Sequence, residues 1–111
     1  MKKIFVNLQL RTGDIIYLWP AYKTTTPGLC VCRIPSFQPS LQQMATPGDG
    51  WQLVHTPSGI CLPHTWGLRR EVVAAASRMA DILDWEQPAK EISRIINTTP
   101  LIKQLISQAA S

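Results

Sequence analysis

Residues 51–85 read WQLVHTPSGICLPHTWGLRREVVAAASRMADILDW and contain the sharpest change of hydrophobic period in the chain. Two short aromatic and β-branched runs, 51–55 and 60–62, flank a turn in which Pro57 presets φ and Gly59 accepts positive φ. Beyond Pro63 the apolar period lengthens to that of an amphipathic helix. The stretch therefore predicts a ββα unit whose hairpin covers the apolar side of the helix.

The apolar stripe of this helix places residues three or four positions apart on one side, and Thr65 or Gly67 is the expected start of the helix. The stripe has to lie on other apolar groups, and the preceding hairpin is the nearest such surface. Its members are Leu68, Val72, Ala75, Ala76, Met79, Ile82 and Leu83.

The first third of the chain predicts three more strands. Residues 3–10 alternate apolar and polar side chains, and a short connection with Gly13 leads to a second strand at 15–19. A third strand is expected at 29–34. Because proline donates no ladder hydrogen bond, Pro20 is predicted to end the pairing of its strand or to mark an edge, and Pro35 and Pro63 are predicted to end their strands.

No hydrophobic period holds over residues 36–50, which are predicted to form a long loop. Loops of this length inside a compact domain are uncommon and often functional. We therefore take Phe37, Gln38 and Leu41 as candidate partner contacts.

Two further helices are predicted after the ββα unit, opened by Pro88 and Pro100, since proline suits the first helical position. Strands followed by helices indicate an α+β fold. We expect a single domain over residues 1–111, with a small antiparallel sheet of about five strands followed by two to three C-terminal helices packed on one face. A simple helical hairpin is favoured over a DNA-binding helix-turn-helix, because apolar residues dominate the last helix.

Composition indicates a globular protein, with 45% hydrophobic and 16% charged residues. The net charge of +4 is uneven: residues 1–70 carry +5 and residues 71–111 carry −1. The sequence shows neither a signal-peptide pattern nor an apolar run long enough to span a membrane. A cytoplasmic location without membrane contact is the expectation.

The thiols and imidazoles are the first candidates for chemistry. Cys30 and Cys32 share one face of a strand, and Cys61 and His64 lie on the later hairpin, so four ligands for zinc are conceivable. The spacing is not that of a standard finger, and free cysteine is commonly buried as an apolar residue. We predict core packing and no cofactor, while metal binding by this set stays open.

No catalytic residue is assigned. A Cys61–His64 or Cys61–His55 pair has no identifiable orienting group and no recognisable nucleophile turn. The carboxylates at 81, 84 and 86 are expected to face solvent. We therefore predict that the protein is not an enzyme.

Several side chains are candidate partner contacts. Arg69 and Arg70 lie in the first turn of the main helix, where the macrodipole favours anions, so they are candidates to bind a carboxylate or phosphate. The alternative is that they pair with Glu71 or reach water. Aromatic residues are common anchors of interfaces, and those expected to be exposed are Tyr17, Trp19, Tyr22 and Trp66.

The run WQLVHTPSG, followed by a helix that ends in ILDW, resembles a hairpin-helix pattern in small accessory proteins of phages and plasmids, a group that includes some anti-CRISPR proteins. The resemblance covers about a third of the chain and transfers no functional residue. It implies a small binding protein of a mobile element that blocks a host complex without performing chemistry.

The predicted function is accordingly a non-enzymatic protein-binding module that inhibits a host defence complex. Its partner would be a host protein or a ribonucleoprotein complex. The alternative is a small basic DNA- or RNA-binding regulator. A nucleic-acid contact and a homodimer both stay open.

Overall fold

A computed structural model describes residues 1–37 and 45–110, apart from the side chains of residues 37, 63 and 64. The α+β class and the order of strands before helices are confirmed. The elements are β1 Lys3–Gln9, β2 Ile15–Lys23, β3 Leu29–Phe37, β4 Ala45–His55, β5 Ile60–Gly67, α1 Arg69–Arg78, α2 Ala89–Thr98 and α3 Pro100–Ala110.

The sheet closes into a barrel in the order β1-β2-β3-β4-β5. Consecutive strands are antiparallel, and β1 meets β5 in parallel where Gln9 pairs with Ile60. The Gln9 N–H donates to the Gly59 carbonyl at 2.9 Å. Gly59 has φ +74°, and a Cβ there would overlap the Asn7 carbonyl oxygen. The turn predicted at Gly59 therefore also forms the seam of the barrel.

Two apolar cores share the strands β3 and β4. Along these strands, every second side chain points into the barrel, and the side chains between them lie on its outer face beneath the helices. This arrangement buries both faces of β3 from Leu29 to Cys32, which explains the apolar run there. The barrel core contains Val6, Leu8, Trp19, Ala21, Cys30, Cys32 and Val54. The helix-facing core contains Leu29, Val31, Leu53, Val72, Ala76, Met79, Trp85, Ile92 and Ala109.

The buried His55 ring joins the hairpin to the segment between α1 and α2. Its Nε2 lies 2.9 Å from the Trp85 carbonyl oxygen and 3.0 Å from the Gln87 carbonyl oxygen, while Nδ1 lies 2.6 Å from Ser58 Oγ. Because carbonyl oxygens only accept hydrogen bonds, Nε2 carries the proton. In the neutral ring, Nδ1 then accepts from the Ser58 hydroxyl.

The prediction that Pro35 and Pro63 end their strands is wrong, whereas Pro20 takes the edge position that was its predicted alternative. β2 continues through Pro20, β3 through Pro35 and β5 through Pro63. At Pro20 the reason is that β2 pairs with β3 only at Tyr22 and Lys23, so the proline stands where one edge of the strand has no partner. At Pro35 the β3–β4 register shifts, which is a common position for proline in a sheet.

The predicted long loop is also partly wrong, because residues 45–50 belong to β4, and residues 45–47 pair with the end of β3. Pro47 lies opposite Pro35, and Thr46 lies opposite Ser36. Gln38 and Leu41, which were predicted to contact a partner, lie outside the described residues, as does the side chain of Phe37. This pairing joins residues about ten positions apart, which local composition does not reveal.

The main helix starts later and ends earlier than expected. It begins at Arg69, since β5 runs to Gly67, and the Glu71 carboxylate accepts a hydrogen bond from the Leu68 N–H at 3.0 Å. Its predicted stripe is buried from residues 72 to 79, whereas Leu68 is 55% exposed. The opening of α3 at Pro100 is confirmed. None of the helices within the described residues has the length and apolarity that crossing a bilayer requires.

Candidate binding surfaces

A band of alternating aromatic and basic side chains crosses the outside of the barrel. Register places Lys3 opposite Tyr22 and Arg33 opposite Trp51, while the first turn of α1 contributes Arg69 between the two strand pairs. We call this set the aromatic–cationic band, and its members are Lys3, Phe5, Tyr22, Arg33, Trp51 and Arg69.

Cation–π contacts connect the members of the band. Arg69 Cζ lies 5.6 Å from the centre of the Tyr22 ring and 5.5 Å from that of Trp51. Arg33 Cζ lies 5.5 Å from the Trp51 ring, and the Tyr22 and Trp51 rings are 6.0 Å apart. Lys3 Nζ lies 5.5 Å from the Phe5 ring. The four cation–ring distances fall within the range in which a cation is attracted to a ring quadrupole.

The positive charges of the band have no carboxylate partner in the part of the chain that the structure describes. The salt bridge found there joins Arg94 and Glu91 on α2, at 3.0 Å. The expected alternative for Arg69, a pair with Glu71, is not formed, since the Glu71 carboxylate accepts the Leu68 N–H instead. Residues 38–44 contain no Asp or Glu in the sequence. Uncompensated cations of this kind attract anionic ligands.

A second surface lies at the connection between β5 and α1. Trp66 is 74% exposed and Leu68 is 55% exposed, and Arg70 is exposed beside them. Trp66 borders two open clefts of about 460 Å³ and about 500 Å³. Arg70 lines the first cleft together with Trp66. We call Trp66, Leu68 and Arg70 the Trp66 surface.

The two arginines predicted to act together serve different surfaces. Consecutive residues of an α-helix point about 100° apart, and here that divergence carries the two arginine side chains to different neighbours. Arg69 lies over Tyr22 and Trp51, whereas Arg70 lines the cleft beside Trp66. The structure thus brings Arg69 together with Tyr22, and Arg70 together with Trp66.

The prediction that Trp19 is exposed is wrong. Its side chain is 6% exposed in the barrel core, and its indole N–H donates to the Arg33 carbonyl at 3.0 Å. The reason is a bulge between β1 and β2, where Leu18 has φ +56° and the register shifts. The extra residue reverses the alternation, so Tyr17 stays 69% exposed while Trp19 turns inward.

Four members of the band were not found from the sequence. The alternation of β1 already puts Lys3 and Phe5 on one outer face, and this was the available signal. Arg33 and Trp51 are brought together by the register of β3 with β4, across 18 positions of sequence. A single sequence does not specify such a register.

The three cysteines are free thiols, and the predicted core packing is confirmed for Cys30 and Cys32, which are fully buried. Burial raises the pKa of Cys32 to about 12 and that of the half-buried Cys61 to about 11. The thiols are therefore neutral at physiological pH. Within the described residues no three His, Cys, Asp or Glu side chains converge on a common point, and the His64 side chain lies outside that description.

Alkaline pH is expected to destabilise the fold through these thiols. The Cys32 thiol has a pKa near 9 in the unfolded chain and about 12 in the folded protein. Its contribution to stability is therefore complete below pH 9 and is lost as the pH rises toward 12, because the unfolded chain then ionises first. The melting temperature should fall between about pH 9 and about pH 10.5, the lower half of that window. Cys32→Ala should show a shallower fall, and an identical slope in the variant would contradict this account.

Together the fold and these surfaces define a five-stranded barrel with a helical layer on one side and two exposed surfaces suited to binding. No protein-family model, curated protein or solved structure matches the chain.

Proposed function

We propose that the protein is a non-enzymatic protein-binding module that inhibits a host defence complex, with a host protein or ribonucleoprotein as its partner. The observation that carries the binding role is the exposure of Trp66. This residue is 74% exposed and borders two clefts. The defence complex as target rests on the resemblance of residues 51–85 to accessory proteins of mobile elements.

The Trp66 surface has the composition of an interface hot spot. Tryptophan and arginine are the residues most enriched among those that dominate binding energy, and they act best when surrounding contacts exclude water. The clefts beside Trp66 provide room for a partner's side chains. Arg70 adds a cation, which favours an acidic group in the partner.

A non-enzymatic role is supported by the state of the nucleophile and base candidates. Burial raises the pKa of the Cys61 thiol to about 11, so it is not poised as a thiolate. Both nitrogens of the buried His55 ring are engaged by Ser58 and by the two carbonyl groups. These contacts of His55 do not include Cys61, so the two do not form the hydrogen-bonded base–nucleophile pair that a cysteine mechanism at this hairpin requires.

Trp66→Ala is expected to weaken binding of the partner about thirtyfold or more, corresponding to a hot-spot loss of about 2 kcal/mol. Arg70→Glu should weaken it as well by reversing the charge at the cleft. The measurement is an affinity titration against the partner identified by cross-linking and mass spectrometry.

Matched controls are Leu101→Ala, which removes a side chain that is 63% exposed on α3, and the charge reversal Lys103→Glu. Neither should change the affinity. If Trp66→Ala and Arg70→Glu bind the partner as strongly as these two controls do, the Trp66 surface is not the interface.

The second candidate function is a small basic DNA- or RNA-binding regulator. It is favoured by one observation, the uncompensated cations of the aromatic–cationic band. Binding that weakens steeply with salt would support it, since phosphate contacts release counterions.

A further inference from the structure

We infer that the aromatic–cationic band is a binding site for single-stranded nucleic acid. Bases would stack on the Phe5 ring and on the guanidinium planes of Arg33 and Arg69, with phosphates beside the same cations and Lys3. The inference rests on the second candidate function, for which it names the ligand and the site, and it is independent of protein binding at Trp66.

The geometry of the band matches the way single strands are bound. Proteins that bind them without sequence preference combine aromatic platforms for the bases with a basic track for the backbone. Here aromatic and basic groups alternate from Phe5 to Arg33, and neighbouring groups in contact lie 5.5–6.0 Å from each other. Lys3 and Tyr22 are joined instead by strand pairing. One ligand chain can therefore meet stacking and charge in succession.

The ends of the band are open to a ligand. Phe5 is 59% exposed on the outer face of β1, although an aromatic side chain is normally buried where packing allows. Arg33 and Arg69 are both exposed, so their guanidinium groups cover the half-buried Tyr22 and Trp51 while still facing solvent. A planar guanidinium supported by an aromatic ring offers a stacking plane as well as a charge.

The charge around the band is also favourable. Lys2 and Lys23 are exposed at its β1–β2 end, where the Lys23 N–H donates to the Lys2 carbonyl at 2.9 Å. Within the described residues no carboxylate forms a salt bridge with any of these cations. A polyanion would therefore meet several positive groups without first displacing an acidic side chain.

Single strands fit this site better than a duplex does. An aromatic ring or a guanidinium plane binds the flat side of a base, which a duplex hides in its own stack. Reading a duplex groove usually needs a helix or ribbon that projects polar side chains. In α3 the first positions are Pro100 and the 63% exposed Leu101, which are poorly suited to that task.

The experiment uses the full chain and short fluorescein-labelled oligothymidine and oligouridine, with affinity measured by fluorescence anisotropy. Three phosphate contacts predict a slope of about −2 in log affinity against log salt, or about 16-fold weaker binding between about 50 mM and about 200 mM salt. The two oligonucleotides distinguish DNA from RNA as the ligand. Labelled duplex DNA and oligoglutamate are the competing ligands.

Phe5→Leu keeps an apolar side chain on the exposed face but removes the ring, and it should weaken binding about fivefold or more. The double variant Arg33→Glu with Arg69→Glu should abolish binding at the higher salt concentration. Lys90→Glu with Lys103→Glu reverses two exposed charges on α2 and α3, away from the band, and should bind much more tightly than the band variant. Thermal unfolding of each variant shows that it is folded before its affinity is measured.

Each outcome decides the matter. Weaker binding by both band variants, with binding retained by the Lys90–Lys103 control and by Trp66→Ala, supports the site. If duplex DNA binds as tightly as the single strands, the inference fails while the second candidate function stands. If no nucleic acid binds at low salt, both the inference and the second candidate function fail. If oligoglutamate binds as tightly as oligothymidine, the band is a general site for acidic partners and the inference is overturned.

Discussion

Gly59→Ala is expected to prevent stable folding, with the free energy of unfolding lowered by about 4 kcal/mol or more, in the range that marks severe substitutions. Two effects add at this position. Gly59 has φ +74°, which is unfavourable for residues with a Cβ, and the new Cβ would overlap the carbonyl oxygen of Asn7 on β1. The Asn7 carbonyl and the Cα that carries the new Cβ both belong to the backbone at the seam, so the overlap can be removed only if β1 and β5 separate.

The matched control is Gly13→Ala. Gly13 has φ +93°, but nothing lies within 4 Å of a Cβ built there, so only the backbone cost of about 1–2 kcal/mol is expected. Denaturant unfolding of the two variants separates the seam contact from the dihedral strain. Equal losses of stability at Gly13 and Gly59 would show that the close approach to Asn7 contributes nothing.

Trp85→Ala is expected to lower the free energy of unfolding by about 3–5 kcal/mol, the range found for removal of a large buried aromatic side chain. Trp85 is 2% exposed in the helix-facing core, and its indole N–H donates to the Met79 carbonyl at 2.9 Å. Truncation would leave a cavity between the barrel and the helices, and it would remove one of the two donors to that carbonyl, the other being the Ile82 N–H at 3.2 Å.

Trp66→Ala makes the same chemical change at a side chain that is 74% exposed. It should alter the free energy of unfolding by no more than about 0.5 kcal/mol. Chemical denaturation followed by circular dichroism measures both variants on equal terms. A large destabilisation by Trp66→Ala would mean that this residue supports the fold, and its exposure would then be poor evidence for an interface.

Expected effects at the two surfaces differ in kind from those in the core. Trp66 and Phe5 are exposed, so their removal should change affinity with little change in stability. The adjacent residues Arg69 and Arg70 allow the two surfaces to be tested separately. Arg69→Glu changes the band, and Arg70→Glu changes the cleft beside Trp66.

Local sequence patterns predicted what depends on local geometry. The hairpin turn at 56–59, the buried stripe of α1 from Val72 to Met79 and the opening of α3 at Pro100 all follow from periodicity and backbone preference. These properties act over a few residues, which is why they can be read in order along the chain.

Predictions failed where a partner strand overrode the local preference. Pro35 lies inside a strand where the β3–β4 register shifts, and the run at 45–50 becomes part of a strand whose first residues pair with β3. Trp19 is buried because a bulge at Leu18 reverses the alternation of β2. In each case the deciding contact joins residues distant in sequence.

By itself, the sequence determined the α+β class, the order of strands before helices, the neutral packing of Cys30 and Cys32, and the presence of basic and aromatic residues in the first two-thirds of the chain. Tertiary structure alone decided that the sheet closes at Gly59 and that Arg33, Trp51, Arg69 and Tyr22 meet in one band. The physical reason is register. Periodicity specifies which side of a strand a residue takes, whereas the neighbour that it meets depends on how distant strands align as both apolar cores are buried.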